Sequence, residues 1–86
     1  MQSEYFILKR GKDMYIERNG QLEQVWKLRV NVNGFDTFVF CRGTENEMRA
    51  YMDDEFPRGF SYHAITDAEY NMVSALRMPV YIAPKL

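Results

Sequence analysis

Apolar and polar positions along the 86-residue chain alternate up to about residue 41 and recur at helical spacing after it. The clearest alternation runs from Gln21 to Val32. Leu22, Trp26, Leu28, Val30 and Val32 point one way, while Glu23, Lys27, Arg29 and Asn31 point the other. Asn33-Gly34 follows, a dipeptide suited to a two-residue hairpin turn, and Phe35–Cys41 reads as the returning strand. Glu4–Lys9 and Met14–Glu17 read as two shorter strands ahead of this pair. Two Thr-x-x-Glu boxes, Thr44-Glu45-Asn46-Glu47 and Thr66-Asp67-Ala68-Glu69, then open helices. The first helix runs to about Phe56 with Met48, Tyr51, Met52 and Phe56 on one face. The second turns Met72, Val73 and Leu76 inward and stops before Pro79. Phe60–Ile65 and Val80–Ala83 read as strands. The predicted order is β-β-β-β-α-β-α-β over a single domain, residues 1–86. It is an α+β fold: an antiparallel β-meander of about four strands followed by α-β-α-β, with two short helices packed on the sheet.

The turns set the faces. A two-residue turn at Asn33-Gly34 sets Val32 opposite Phe35, Val30 opposite Thr37, Leu28 opposite Val39 and Trp26 opposite Cys41. These pairs share a first face and form the expected core. The second face pairs Asn31 with Asp36, Arg29 with Phe38 and Lys27 with Phe40. For the preceding turn a three-residue loop, Arg18-Asn19-Gly20, is preferred because it sets Ile16 opposite Leu22. Continuing through Gly11-Lys12 places Ile7 beside Ile16 and sends Phe6, Leu8 and Tyr15 to the second face. That face then holds Phe6, Leu8, Tyr15, Val25, Phe38 and Phe40, interleaved with Lys27 and Arg29. Two arrangements accommodate it. Either the second face is buried too, because the helices divide between the faces or a terminal segment covers it, or the helices cover one face and leave an apolar patch for a partner or a second copy.

Composition narrows the function classes. The chain is 47% apolar and 27% charged, as expected of a globular domain with a small core. No run approaches the roughly 18 apolar residues of a membrane span, and Met1-Gln2-Ser3-Glu4 does not resemble a signal peptide, so the expectation is a cytoplasmic protein without a membrane partner. The lone Cys41 excludes an internal disulfide and a zinc cluster, which fits a reducing compartment. A net charge of −1 argues against a strongly basic nucleic-acid binder. Aromatic content is high at 15%.

Candidate catalytic groups are sparse. Nothing local activates Cys41 or His63 as a nucleophile and base. Asp53-Asp54-Glu55 occupy adjacent helical positions that splay around the axis. Phosphate-loop, EF-hand, HExxH and GxSxG patterns are missing. The reading is therefore a protein that is not an enzyme, with no catalytic residues, metal or cofactor. Charge is uneven: residues 1–43 carry seven Lys/Arg against five Asp/Glu, and residues 44–86 carry four against seven. The acidic excess centres on the first helix, either as a solvated face or as a ridge that engages a basic groove.

The surplus of aromatics without catalytic groups points to a binding protein that occupies a protein partner. The expected contact residues are Phe38, Phe40, Lys27, Arg29 and Tyr15 on the second face, and Glu47, Asp53 and Asp54 on the acidic helix. One alternative is a single-stranded nucleic-acid binder with Phe38 and Phe40 stacking on bases beside Lys27 and Arg29. Another is a small-ligand-binding or homodimeric structural module. The stretch from Lys27 through Asn33-Gly34 into the Thr44–Phe56 helix, a tight hairpin leading to a short acidic helix, resembles in layout the small phage-encoded inhibitors of host defence, anti-CRISPR proteins among them. That resemblance implies a host-cytoplasmic inhibitor of a defence or nucleic-acid-processing complex, and it transfers no site residue.

Overall fold

A computed structural model describes residues 5–10 and 13–86. Four strands come first, β1 (Tyr5–Arg10), β2 (Asp13–Arg18), β3 (Gln21–Val32) and β4 (Phe35–Gly43). They are followed by α1 (Glu45–Glu55), β5 (Ser61–Ala64), α2 (Asp67–Ala75) and β6 (Val80–Ile82). The α+β class and the order of elements are as the sequence pattern predicts. Glu4, the Gly11-Lys12 turn and the side-chain directions expected for Phe6, Ile7 and Leu8 lie outside the described residues.

β3 organises the sheet. Its 12 residues at about 3.4 Å each span roughly 40 Å, close to the 41 Å long dimension of the molecule. One edge pairs with β4 along Gln24–Val32, in the register the Asn33-Gly34 turn predicts. Both turn residues are left-handed, with φ of 54° and 87°, and the Gly34 N–H donates to Asn31 Oδ1 at 3.1 Å. The other edge of β3 is shared: β2 pairs with residues 21–23, and β5 takes over at residues 26–29. β6 lies parallel to β4 on its outer side, opposite residues Phe40–Arg42, which makes the sheet mixed.

The β2–β3 turn departs from expectation. It is a two-residue loop, Asn19-Gly20, with both residues left-handed at φ of 53° and 80°. Arg18 therefore faces Gln21, Glu17 faces Leu22, and Ile16 faces Glu23. A one-residue difference in register moves a strand's whole apolar set to the other face. Ile16 and Met14 accordingly sit on the second face, with Val25 and Phe40, and alternation places Tyr15 on the first.

Both faces are buried because the two helices divide between them. α1 lies on the first face, packing Met48 and Met52 against Trp26, Leu28, Val30 and Cys41, with Tyr51, Phe56, Phe60 and Tyr62 around the rim. α2 lies on the second face, where Val73 and Tyr70 meet Val25, Phe40, Met14, Ile16 and Ile65. Met72 and Leu76, expected to point inward, are exposed. Each buried side chain contributes about 1.5–3 kcal/mol, and neither core alone is large. Both capping boxes form: Thr44 Oγ1 accepts from Glu47 N at 3.2 Å, and Thr66 Oγ1 from Glu69 N at 3.3 Å. Such caps stabilise a helix by about 1 kcal/mol.

Two further contacts close the structure. The Trp26 indole N–H donates to the Gly43 carbonyl at 3.0 Å, and a Cβ on Gly43 would lie 3.1 Å from Ala83 Cβ. The buried Glu23 carboxylate accepts from Lys85 Nζ at 2.7 Å and faces Arg42 Nε at 3.4 Å, which ties the C-terminal segment across β3. The β3–β4 hairpin runs past both cores. Val32 and Phe35, expected in the first-face core, are exposed at its tip. No helix is long and apolar enough to cross a membrane among the described residues.

Candidate protein-binding surface

The second face beyond α2 is built from two cross-strand rows. β5, β3 and β4 align Ser61, Arg29 and Phe38 in one row, and His63, Lys27 and Phe40 in the next. The rows face the same side of the sheet and have opposite fates. α2 packs over Phe40, leaving it 6% exposed, and ends before Phe38, which stays 54% exposed. Phe40 is therefore a core residue, unavailable to a partner.

Charged groups surround Phe38. Lys27 Nζ lies 4.5 Å from the centre of its ring, within cation–π range. Arg29 donates to Asp36 Oδ2 at 2.6 Å, and Asn31 Nδ2 donates to Asp36 Oδ1 at 3.2 Å. These hydrogen bonds, that of Arg29 foremost, hold the Asp36 carboxyl below its ordinary range. Arg29 is thus engaged by Asp36, and Lys27 is the cation set over the aromatic ring. His63 Nε2 lies 3.7 Å from Glu69 Oε1, an ion pair when the imidazole is protonated. Lys27, Arg29, Phe38, Ser61, Tyr62 and His63 line a groove of about 360 Å³, at the low end of the range for ligand pockets.

The other expected contact residues lie elsewhere. Tyr15 is half-buried on β2, which pairs with the far end of β3. Glu47 is buried, and its Oε1 accepts from the Thr44 N–H at 3.1 Å, so it caps α1 and is not a contact residue. Asp53 and Asp54 are exposed on α1, on the opposite side of the sheet from Phe38. Nearer the start of α1, Glu45 Oε2 accepts a hydrogen bond from the Tyr62 hydroxyl at 2.6 Å, a contact that raises the tyrosine's pKa. The aromatic-cationic and acidic surfaces are therefore two sites, not one.

Candidate catalytic groups do not converge. Cys41 faces the first core and His63 the second face, so the sheet separates them. Burial pushes the Cys41 thiol up to about 11, against the formation of a thiolate nucleophile. Among the described residues no group of three or more His, Cys, Asp or Glu side chains could hold a metal ion.

Phe35 is not among the expected contact residues, yet it is 76% exposed. A signal for it exists in the chain: Thr37 interrupts the apolar row and sits opposite Val30, near where the core ends. No family model, curated protein or solved structure matches the chain.

Proposed function

We propose that this chain is a non-enzymatic binding protein that acts by occupying a protein partner, with Phe38, Lys27 and Arg29 at the centre of contact. One observation carries the reading: an aromatic ring held beneath a lysine ammonium, half exposed, on the stretch of sheet that α2 leaves uncovered. Aromatic anchors fixed before binding lose little entropy on association and dominate interface energetics. Action by occupancy is also what the layout's resemblance to small phage-encoded inhibitors implies, and with it a host-cytoplasmic setting. The exposed Asp53-Asp54 ridge is a separate surface in this reading. The nucleic-acid alternative loses support, because Phe40 is unavailable for stacking and Arg29 is engaged by Asp36.

The test is capture from the native host lysate by the immobilised chain, read by quantitative mass spectrometry. Phe38→Ala combined with Lys27→Ala is expected to reduce the captured partner at least about 10-fold, the scale of hot-spot losses. Asp53→Lys with Asp54→Lys is expected to leave it unchanged. Equal capture by the wild type and the Phe38/Lys27 variant overturns the assignment. Binding to single-stranded oligonucleotides that weakens steeply with salt would replace it with the nucleic-acid reading.

A further inference from the structure

We propose that a slot on the second face, between α2 and the β4–β6 edge, binds a small organic monocarboxylate with an apolar part of about six carbons. The slot shares no residue with the groove at Phe38, and its ligand goes beyond the protein-binding reading. β6 runs parallel to β4 with Val80 beside Phe40 and Ile82 beside Arg42, so Val80, Ile82 and Arg42 share the second face. α2 packs Val73 onto that face, and one flank of the helix end, Tyr70, Ser74 and Arg77, turns toward the β4–β6 edge. Between them lies a cavity of about 160 Å³. Val25 and Val73 are its buried floor, and Val80 and Ile82 its apolar wall, with Ile82 left exposed.

Charge selects the sign of the ligand. The lining carries two guanidiniums, Arg42 and Arg77, and no carboxylate. Arg42 Nε faces the buried Glu23 at 3.4 Å, but that carboxylate also accepts from Lys85 Nζ at 2.7 Å. One negative charge is shared between two cations, so this cluster keeps a net positive charge, and Arg77 adds another. Arg77 holds its place at a conformational cost. α2 closes with the Arg77 N–H on the Ser74 carbonyl at 3.1 Å and the Met78 N–H on the Val73 carbonyl at 3.0 Å. This closure needs a left-handed residue, and Arg77 supplies it with a φ of 53°, where glycine is favoured. A strained side chain kept at the mouth of a cavity points to a ligand. Volume and lining select the rest. A cavity of about 150 Å³ holds one benzene ring, so the slot takes a ring or branched chain of that size and nothing longer. A guanidinium fork matches a carboxylate with two parallel hydrogen bonds, and the Tyr70 and Ser74 side chains line the same slot. Inorganic phosphate would leave the aliphatic floor and wall uncovered.

The experiment titrates the purified full chain with sodium benzoate and follows the backbone amides by NMR. Benzoate is expected to bind with a Kd of about 1 mM or below, within reach of a ligand with so few atoms. The amides of Tyr70, Ser74, Arg77 and Val80 are expected to shift. Benzyl alcohol keeps the ring without the charge, and acetate keeps the charge without the ring. Both are expected to bind at least about 10-fold more weakly. Arg77→Gly removes the guanidinium and relieves the left-handed strain. It is expected to weaken benzoate at least about 10-fold while the melting temperature stays level or rises, which separates loss of ligand from loss of fold. Equal affinity for benzoate and benzyl alcohol, undiminished binding by Arg77→Gly, inorganic phosphate binding as tightly as benzoate, or no saturating shift up to tens of millimolar overturns the proposal. None of these outcomes bears on partner capture through Phe38, since Lys27, Arg29 and Phe38 lie outside the slot.

Discussion

Phe38 and Phe40 are two residues apart on one strand and face the same side of the sheet, and the structure assigns them opposite energetic roles. Phe40 is 6% exposed beneath α2, and its truncation to alanine leaves a cavity among Val25, Ile65 and Val73. Such truncations cost about 3–5 kcal/mol. Phe38 is 54% exposed, so less than half of its full burial energy is at stake, about 1 kcal/mol. Its contact with Lys27 adds about 0.5 kcal/mol at an exposed site. Phe40→Ala should therefore cost at least about 1.5 kcal/mol more than Phe38→Ala. For a chain of this size that separates the melting temperatures by roughly 6–12 °C. Urea unfolding followed by Trp26 fluorescence measures both, since Trp26 sits in the opposite core and reports on the whole domain. Costs that agree within about 0.5 kcal/mol, or that reverse, would refute the division of the helices between the two faces.

Two predictions concern other parts of the fold. Gly43→Ala is expected to destabilise by about 1–3 kcal/mol, because the new Cβ would stand 3.1 Å from Ala83 Cβ and 3.4 Å from Glu47 Oε1, at a φ of +156°. A neutral result in denaturant titration would mean that β4 and the C-terminal segment do not approach so closely. Cys41 should make stability depend on alkaline pH. Its thiol rises from 9.0 to about 11 in the folded chain through desolvation, so the fold favours the protonated form. That stability is complete below pH 9 and falls by about 3 kcal/mol as pH rises toward 11, since a tenfold change in an ionisation constant is worth about 1.4 kcal/mol. Wild type and Cys41→Ala should diverge in that window, and parallel curves would contradict a buried thiol.

Local chemistry carries much of this architecture in the open. Asn33-Gly34 demands two left-handed residues, and the alternation from Gln21 to Val32 specifies which side chains pair across the hairpin. Every β3–β4 pair expected from them is present. The two Thr-x-x-Glu boxes mark the starts of α1 and α2 because a capping box is completed within four residues. The Asn19-Gly20 turn shows the same logic misled by a wrong premise. Its dipeptide also suits a two-residue turn, but a longer loop is needed if Ile16 is to join Leu22 on a single buried face. The second face has its own core, so Ile16 belongs opposite Glu23.

The candidate site is legible in part. Lys27, Arg29 and Phe38 can be found from the chain because strand pairing alone puts them side by side. Phe40 and Glu47 cannot be assigned that way, since burial depends on what arrives from elsewhere in the chain. By itself the sequence determined period, turn type and register, which are set by contacts a few residues apart or across one hairpin. Only the tertiary structure decided which face each helix covers, how far α2 reaches along β4, and where β6 stops. Those outcomes depend on docking between segments tens of residues apart, and they separate a buried phenylalanine from an exposed one.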